Sequence, residues 1–207
     1  MIKIDSLIVI LVPAALISML LASKKNLEKL KQWFSKVNPQ KASVQISNQA
    51  METVKGINQI DFLIGKPRFI VAQFLHETGY GSSRVFQEQN NGFGMRCVYI
   101  RPTTQVGCQA DYGVYANGVS SAIDLNKWFE YHIEKDIDQL YIKQGRRVPA
   151  IGSERRKSDF NDFVNRYRNF TLEQYVAYIK ERGYFEDTYN NYYNGLLNAM
   201  NTNLSSK

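Results

Sequence analysis

The side chain with the strongest chemical context is Glu77, in the run from Ala72 to Met95, AQFLHETGYGSSRVFQEQNNGFGM. Ile70, Phe74 and Glu77 share one face of a helix that opens at Pro67, so their spacing sets this carboxyl on an apolar side. Apolar neighbours disfavour the charged form and raise the pKa toward a range useful for donating a proton near neutrality. Gly79 and Gly81 follow at once. They are expected to end the helix and to leave room beside the acid for a bulky substrate. The chemistry on offer is general-acid catalysis. A partner carboxylate is harder to find, because no glutamate occurs between Met95 and Phe129 and Asp111 is the only carboxylate there before Asp124. Asp111 is therefore the candidate for orienting water.

The elements that must position these groups are mostly helical. Val54, Ile57, Ile60 and Ile64 suggest a helix packing up to Gly65, before the helix that delivers Glu77. The loop Asn90-Asn91-Gly92-Phe93-Gly94 is expected to line a cleft, with asparagine amides free to hold turns or bind a ligand. Residues Cys97 to Cys108, rich in β-branched and aromatic side chains, read as a β-hairpin whose flanking cysteines could lie within disulfide range, the alternative being two reduced cysteines in a core. With only His76 and His132 as histidines, two cysteines are too few for a zinc site, and neither metal nor cofactor is expected. Val119 to Lys135 predicts a helix capped by Ser120 or Ser121, residues 136–160 a loop, and 159–167 and 171–182 two further helices. Thr171 and Gln174 have capping-box spacing. A last helix ends near Met200, and residues 201–207 read as a polar, frayed tail.

The fold class that follows is mainly α with a small β-hairpin lobe, over residues 46–200 of a 207-residue chain that is 44% hydrophobic and 22% charged. That composition excludes a disordered or collagen-like chain. Before the domain, Leu7 to Ala22 is an uncharged apolar run interrupted by Pro13, readable as a signal peptide or, in preference, as a membrane anchor within residues 1–23. Residues 24–45 read as a basic stalk in which Leu27, Leu30, Phe34 and Val37 have the spacing of a helical stripe. The lysines that follow the apolar run would by themselves hold the domain in the cytoplasm. The formal charge of +7 suits anionic polymers or headgroups; no nucleic-acid motif accompanies it, and no nucleic-acid partner is expected.

Taken together, A-Q-x-x-H-E-T-G-Y-G-S-S followed by N-N-G-F-G-M resembles the signature of glycoside hydrolase family 73, the N-acetylglucosaminidases of the lysozyme-like superfamily. The family pattern is roughly A-Q-x-x-L-E-S-G-W-G-x-S, then N-N-L-F-G-I-K. This chain carries His76 for the leucine, Thr78 for the serine, Tyr80 for the tryptophan and Arg96 for the lysine. Tyr112-Gly-Val-Tyr115 resembles the family's F-R-x-Y segment, and Gly183-Tyr184 with Asp187 resembles its closing G-Y-A-T-D run. The three matches fall in order over residues 55–200.

The resemblance implies a lysozyme-like helical domain that cleaves the β-1,4 bond after N-acetylglucosamine in peptidoglycan, with glycan strands as partner. It implies Glu77 as general acid and Tyr184 as a group stabilising charge or the distorted sugar, with Tyr80, Asn91, Phe93 and Tyr115 binding substrate. Two carboxyls usually share this reaction, but the substrate's own 2-acetamido group can replace the second. A muramidase or lytic transglycosylase of the same superfamily is an alternative, as is a wall-binding or assembly module without activity. A wall substrate places the domain outside the cytoplasm, anchored at the membrane, or else in a virion or secreted. A disulfide between Cys97 and Cys108 would suit that location.

Overall fold

Every side chain from Phe69 to Leu75 is buried in the computed structural model, which describes residues 44–202 and 204–206. These residues belong to the helix Pro67–Glu77, the third element of the order β1 (Val44–Ile46), α1 (Asn48–Ile57), α2 (Pro67–Glu77), α3 (Arg84–Gln89), β2 (Gly107–Gln109), β3 (Tyr112–Val114), α4 (Gly118–Lys143), α5 (Glu154–Tyr167), α6 (Leu172–Glu181), α7 (Tyr189–Met200) and β4 (Leu204–Ser206). The helix α2 was expected to be apolar on one face. Its middle, residues 69–75, is instead enclosed on every side, Gln73 included. Its most extensive helix contact is with α7. Phe74 meets Phe86 and Phe93 with ring centroids 5.1 and 6.0 Å apart, so α3 and the loop after it close over the same core.

Helix starts follow the expected chemistry. Ser47, Ser83, Ser153 and Thr188 each accept a hydrogen bond from the backbone N–H three residues on, and Thr171 and Gln174 complete a reciprocal capping box. The long helix departs from expectation at both ends. Asn117, not Ser120 or Ser121, caps α4, its Oδ1 accepting from Ser120 N at 2.8 Å. Phe129, Ile133, Ile137 and Tyr141 carry a buried i, i+4 stripe onward to Lys143, so the expected loop 136–160 shrinks to residues 144–153. Buried Arg156 of α5 fastens that extension, donating from Nη1 to Asp138 Oδ1 at 2.7 Å and from Nε to Glu134.

The β-structure is displaced from where the sequence put it. Strands β2 and β3 pair antiparallel with Gly107 opposite Val114 and Gln109 opposite Tyr112, and Ala110 and Asp111 make the turn, both at positive φ. Residues 98–106, expected as hairpin, are an irregular segment held by side chains. The C-terminal residues Leu204–Ser206, expected to fray, pair in parallel with Val44–Ile46. Among the described residues no helix is long and apolar enough to cross a membrane. The apolar segment 7–22 and the stalk to residue 43 lie outside the described residues.

The α2–α7 contact depends on one missing side chain. A Cβ at Gly195 of α7 would lie 2.3 Å from His76 Cε1 and 2.6 Å from its Nδ1, while the same ring sits edge-on to Tyr192 at 5.1 Å. In an open helix, Gly→Ala stabilises by about 1 kcal/mol. Here Gly195→Ala should destabilise by about 1–3 kcal/mol, the usual range for overpacking. In a His76→Ala background the same change should become neutral or stabilising. Denaturant unfolding of the double-mutant cycle measures this, and a Gly195→Ala effect independent of residue 76 would contradict it.

Candidate active site

Glu77 is the last residue of α2, where the chain breaks from helix through three residues at positive φ: Gly79 (53°), Tyr80 (60°) and Gly81 (85°). Buried Thr78 ties the break together. Its Oγ1 donates to Phe74 O at 2.7 Å and accepts from Gly81 N at 2.9 Å. Gly81 does not open space for a ligand as expected. A Cβ on Gly81 would lie 2.6 Å from Ala50 Cβ, so its bareness lets α1 approach. The glycine beside the acid is Gly94, where an added Cβ would lie 3.5 Å from Glu77 Oε2.

The Glu77 carboxyl is in contact with a tyrosine. Tyr192 of α7 donates to its Oε1 at 2.6 Å. Burial pushes the acid up to about 7, with the Tyr192 hydrogen bond pulling the other way. Burial, and then the Glu77 charge, raise the Tyr175, Tyr184 and Tyr192 phenols well above their ordinary value, so these hydroxyls stay protonated. Tyr184 donates to Phe93 O and Tyr175 to Gln73 Oε1, one helical turn before Glu77.

Next to this group is a cleft of about 480 Å³, walled by Gly94 to Arg101 on one side and by Trp128, Tyr131, His132, Gly183 and Tyr184 on the other. Glu77 borders it, with Oε2 beside Gly94, but does not line it. Trp128 forms an aromatic wall with Tyr184 at 5.4 Å and His132 at 4.2 Å between centroids. Burial first, then the Arg182 charge, lower the His132 pKa to about 4, so its imidazole is neutral at pH 7. Tyr99 and Ile100 on the facing wall are 84% and 79% exposed.

That facing wall has no regular structure and is fixed by two cross-links. Cys97 and Cys108 are joined as a disulfide, Cα atoms 5.6 Å apart. Arg101 makes a bidentate pair with Asp124 of α4, both contacts 3.0 Å, and Asp124 also accepts from Tyr115 Oη at 2.8 Å and from Thr104 N at 3.3 Å. Burial would raise the Asp124 carboxyl, but the hydrogen bonds and the charge of Arg101 hold it below its ordinary value.

Of the residues singled out from sequence, Glu77 and Tyr184 come together at the cleft, and Cys97 contributes to its wall. The others are placed differently. Asn91 is buried with its amide spent on the loop: Nδ2 donates to Met95 O and Gly113 O, and Oδ1 accepts from Phe93 N and Met95 N. Phe93 offers its carbonyl to Tyr184 while its ring lies in the core. Tyr115 is a core ring bonded to Asp124, and Tyr80 Oη meets Thr202 Oγ1 at 3.1 Å. Asp111 sits exposed at the hairpin turn, φ 67°, and is not among the cleft-lining residues. Sequence reasoning missed Tyr192, Trp128, His132 and the Arg101–Asp124 pair. The i, i+4 spacing of Trp128 and His132 was the one visible signal. Among the described residues no three His, Cys, Asp or Glu side chains converge as metal ligands.

The raised Glu77 pKa has a stability consequence with a definite sign. Between about pH 4.5 and about pH 7 the folded chain holds a proton that the unfolded chain has lost, so this group's contribution falls as pH rises through that window. The shift corresponds to on the order of 3 kcal/mol. Glu77→Gln, neutral throughout, should gain stability relative to the parent progressively from pH 4.5 to 7, and level off above. Urea unfolding across pH tests this; a difference that stays flat with pH would contradict it.

Among curated proteins none matches this chain. A solved structure, "Structure of a type VI secretion system effector-immunity complex from Pseudomonas protegens", is similar with a TM-score of 0.45 at 16% identity, covering 74% of this chain and 92% of that one. The family model Glucosaminidase, described as mannosyl-glycoprotein endo-beta-N-acetylglucosaminidase, matches residues 64–205, from just before α2 through β4. That match takes in Glu77, the cleft walls and the α7 tyrosine, and the chain belongs to the glucosaminidase family.

Proposed function

We propose that this chain is a peptidoglycan hydrolase that cleaves the β-1,4 bond after N-acetylglucosamine, with Glu77 as general acid. The observation that carries the reading is the partly buried carboxyl of Glu77, with a pKa raised to about 7, bordering an aromatic-walled cleft in a chain of the glucosaminidase family. A half-protonated acid near neutrality can give its proton to the glycosidic oxygen as the bond to the sugar's anomeric carbon breaks. Trp128 and Tyr184 offer flat faces on which a pyranose ring can lie. The disulfide suits the oxidising space outside the cytoplasm, where peptidoglycan is found.

Within this reading the electron-rich partner at the anomeric carbon is the substrate's 2-acetamido oxygen. Asp111 is exposed at a hairpin turn and is not part of the cleft lining, and among the described residues no carboxylate lines the cleft. Substrate assistance of this kind is an established exception to the two-carboxylate rule.

Glu77→Gln should retain the fold and lose roughly 10²- to 10⁴-fold in rate, the contribution typical of a general acid. Asp111→Asn should stay close to the parent rate. Mass spectrometry of digested peptidoglycan should show reducing N-acetylglucosamine ends. Reducing or anhydro-muramic ends would reassign the bond, and undiminished cleavage by folded Glu77→Gln would remove Glu77 from the mechanism.

A further inference from the structure

Tyr192 lies outside every motif by which the sequence was read, yet its hydroxyl is the one hydrogen-bond partner of the Glu77 carboxyl among the described residues. Its ring has little freedom. Phe185 stacks on it at 3.8 Å with planes 4° apart, His76 meets it edge-on at 5.1 Å, and the residue is 3% exposed. The hydroxyl is therefore held at Glu77 Oε1 while Oε2 lies beside cleft-lining Gly94. The two carboxyl oxygens are made inequivalent by their surroundings.

We propose that Tyr192 is the positioning residue for Glu77, committing Oε1 to its own hydroxyl so that Oε2 carries the transferable proton toward the cleft. This rests on the reading of Glu77 as the acid. In a protonated carboxyl, a phenol O–H donates best to the carbonyl oxygen, which leaves the hydroxyl on the other. The proton on Oε2 passes to the glycosidic oxygen, the bond from that oxygen to the anomeric carbon breaks, and its electron pair stays on the oxygen. Glu77 is then a carboxylate, and the Tyr192 hydrogen bond to it becomes charge-assisted and stronger. An interaction that strengthens as the reaction proceeds lowers the barrier, where one equally strong in both states would not.

The surroundings allow this role. Besides Tyr192, the titratable groups facing Glu77 are Tyr175 from α6 and Tyr184 from the segment before α7, both neutral phenols at pH 7. Behind Tyr192, burial lowers His76 and the Asp187 charge opposes that shift. Tyr192 itself keeps its proton because burial, and then the Glu77 charge, raise its pKa.

The test is Tyr192→Phe in the full chain, which keeps the stacked ring and removes only the hydroxyl. The maximal rate should fall roughly ten- to a hundredfold, as for loss of a hydrogen bond to a charged group, with KM little changed. The alkaline limb of the pH–rate profile should move to higher pH, because ionised Glu77 has lost a donor. A ¹³C NMR titration of the Glu77 carboxyl in parent and variant reads the same contact without substrate, and its midpoint should rise in the variant. Coincident titrations, or an unmoved pH profile with only lowered stability, would make Tyr192 a packing residue and overturn the proposal. If the parent cleaves no peptidoglycan while the midpoints still separate, the hydrolase reading fails and the Tyr192 contact to Glu77 stands.

Discussion

The removal of one carboxyl from water governs much of this structure. Glu77 ends a helix whose residues 69–75 are all buried, and its carboxyl meets the Tyr192 hydroxyl. Ionising it there costs free energy, and a single donor, the Tyr192 hydroxyl, returns part of that cost. Much else serves this arrangement: α7 must lie close enough to present Tyr192, Gly195 must be bare to admit His76, and Gly94, at positive φ, places the cleft wall beside Oε2. The pKa that makes the group useful near neutrality is the same penalty that makes the fold less stable when the group ionises.

The cleft beside it is built from two unlike walls. One is the regular face of α4, where Trp128 and His132 recur one turn apart and Trp128 packs with both His132 and Tyr184. The other, residues 94–101, is irregular and owes its position to the disulfide and to Arg101 inserted onto Asp124. A buried ion pair of this kind contributes little net stability over an apolar replacement, but losing one partner leaves a costly unpaired charge. Asp124, with four hydrogen bonds from Arg101, Thr104 and Tyr115, therefore sets where the wall can sit.

What the sequence made legible were features with a local cause. Pro67 opening a helix, glycines ending it at Glu77, the Thr171–Gln174 capping box and the late helix after Tyr184 all depend on neighbours within a few residues. Partner choice over long distances was not legible. Phe93 and Tyr115 have the residue types of a sugar site and lie in the core, while Trp128 has the type of a core residue and lies in the cleft. The amide of Asn91 could serve a turn or a ligand, and only the positions of Met95 and Gly113 show that it serves the turn. The segment 98–106 had strand-forming composition, but Arg101 and Thr104 found partners on α4, which drew it away from pairing. Tyr192, 115 positions from Glu77, carried no spacing signal at all.

In the proposed reaction the Glu77 side chain meets the glycosidic oxygen of a β-1,4-linked N-acetylglucosamine chain in this cleft. A crystal structure of full-length Glu77→Gln with an N-acetylglucosamine tetramer tests it most directly. The account predicts a sugar lying along Trp128 and Tyr184, with a glycosidic oxygen about 2.6–3.2 Å from the residue 77 amide on the Gly94 side. An oligomer seated elsewhere, or one in the cleft with residue 77 out of reach of every glycosidic oxygen, would contradict it.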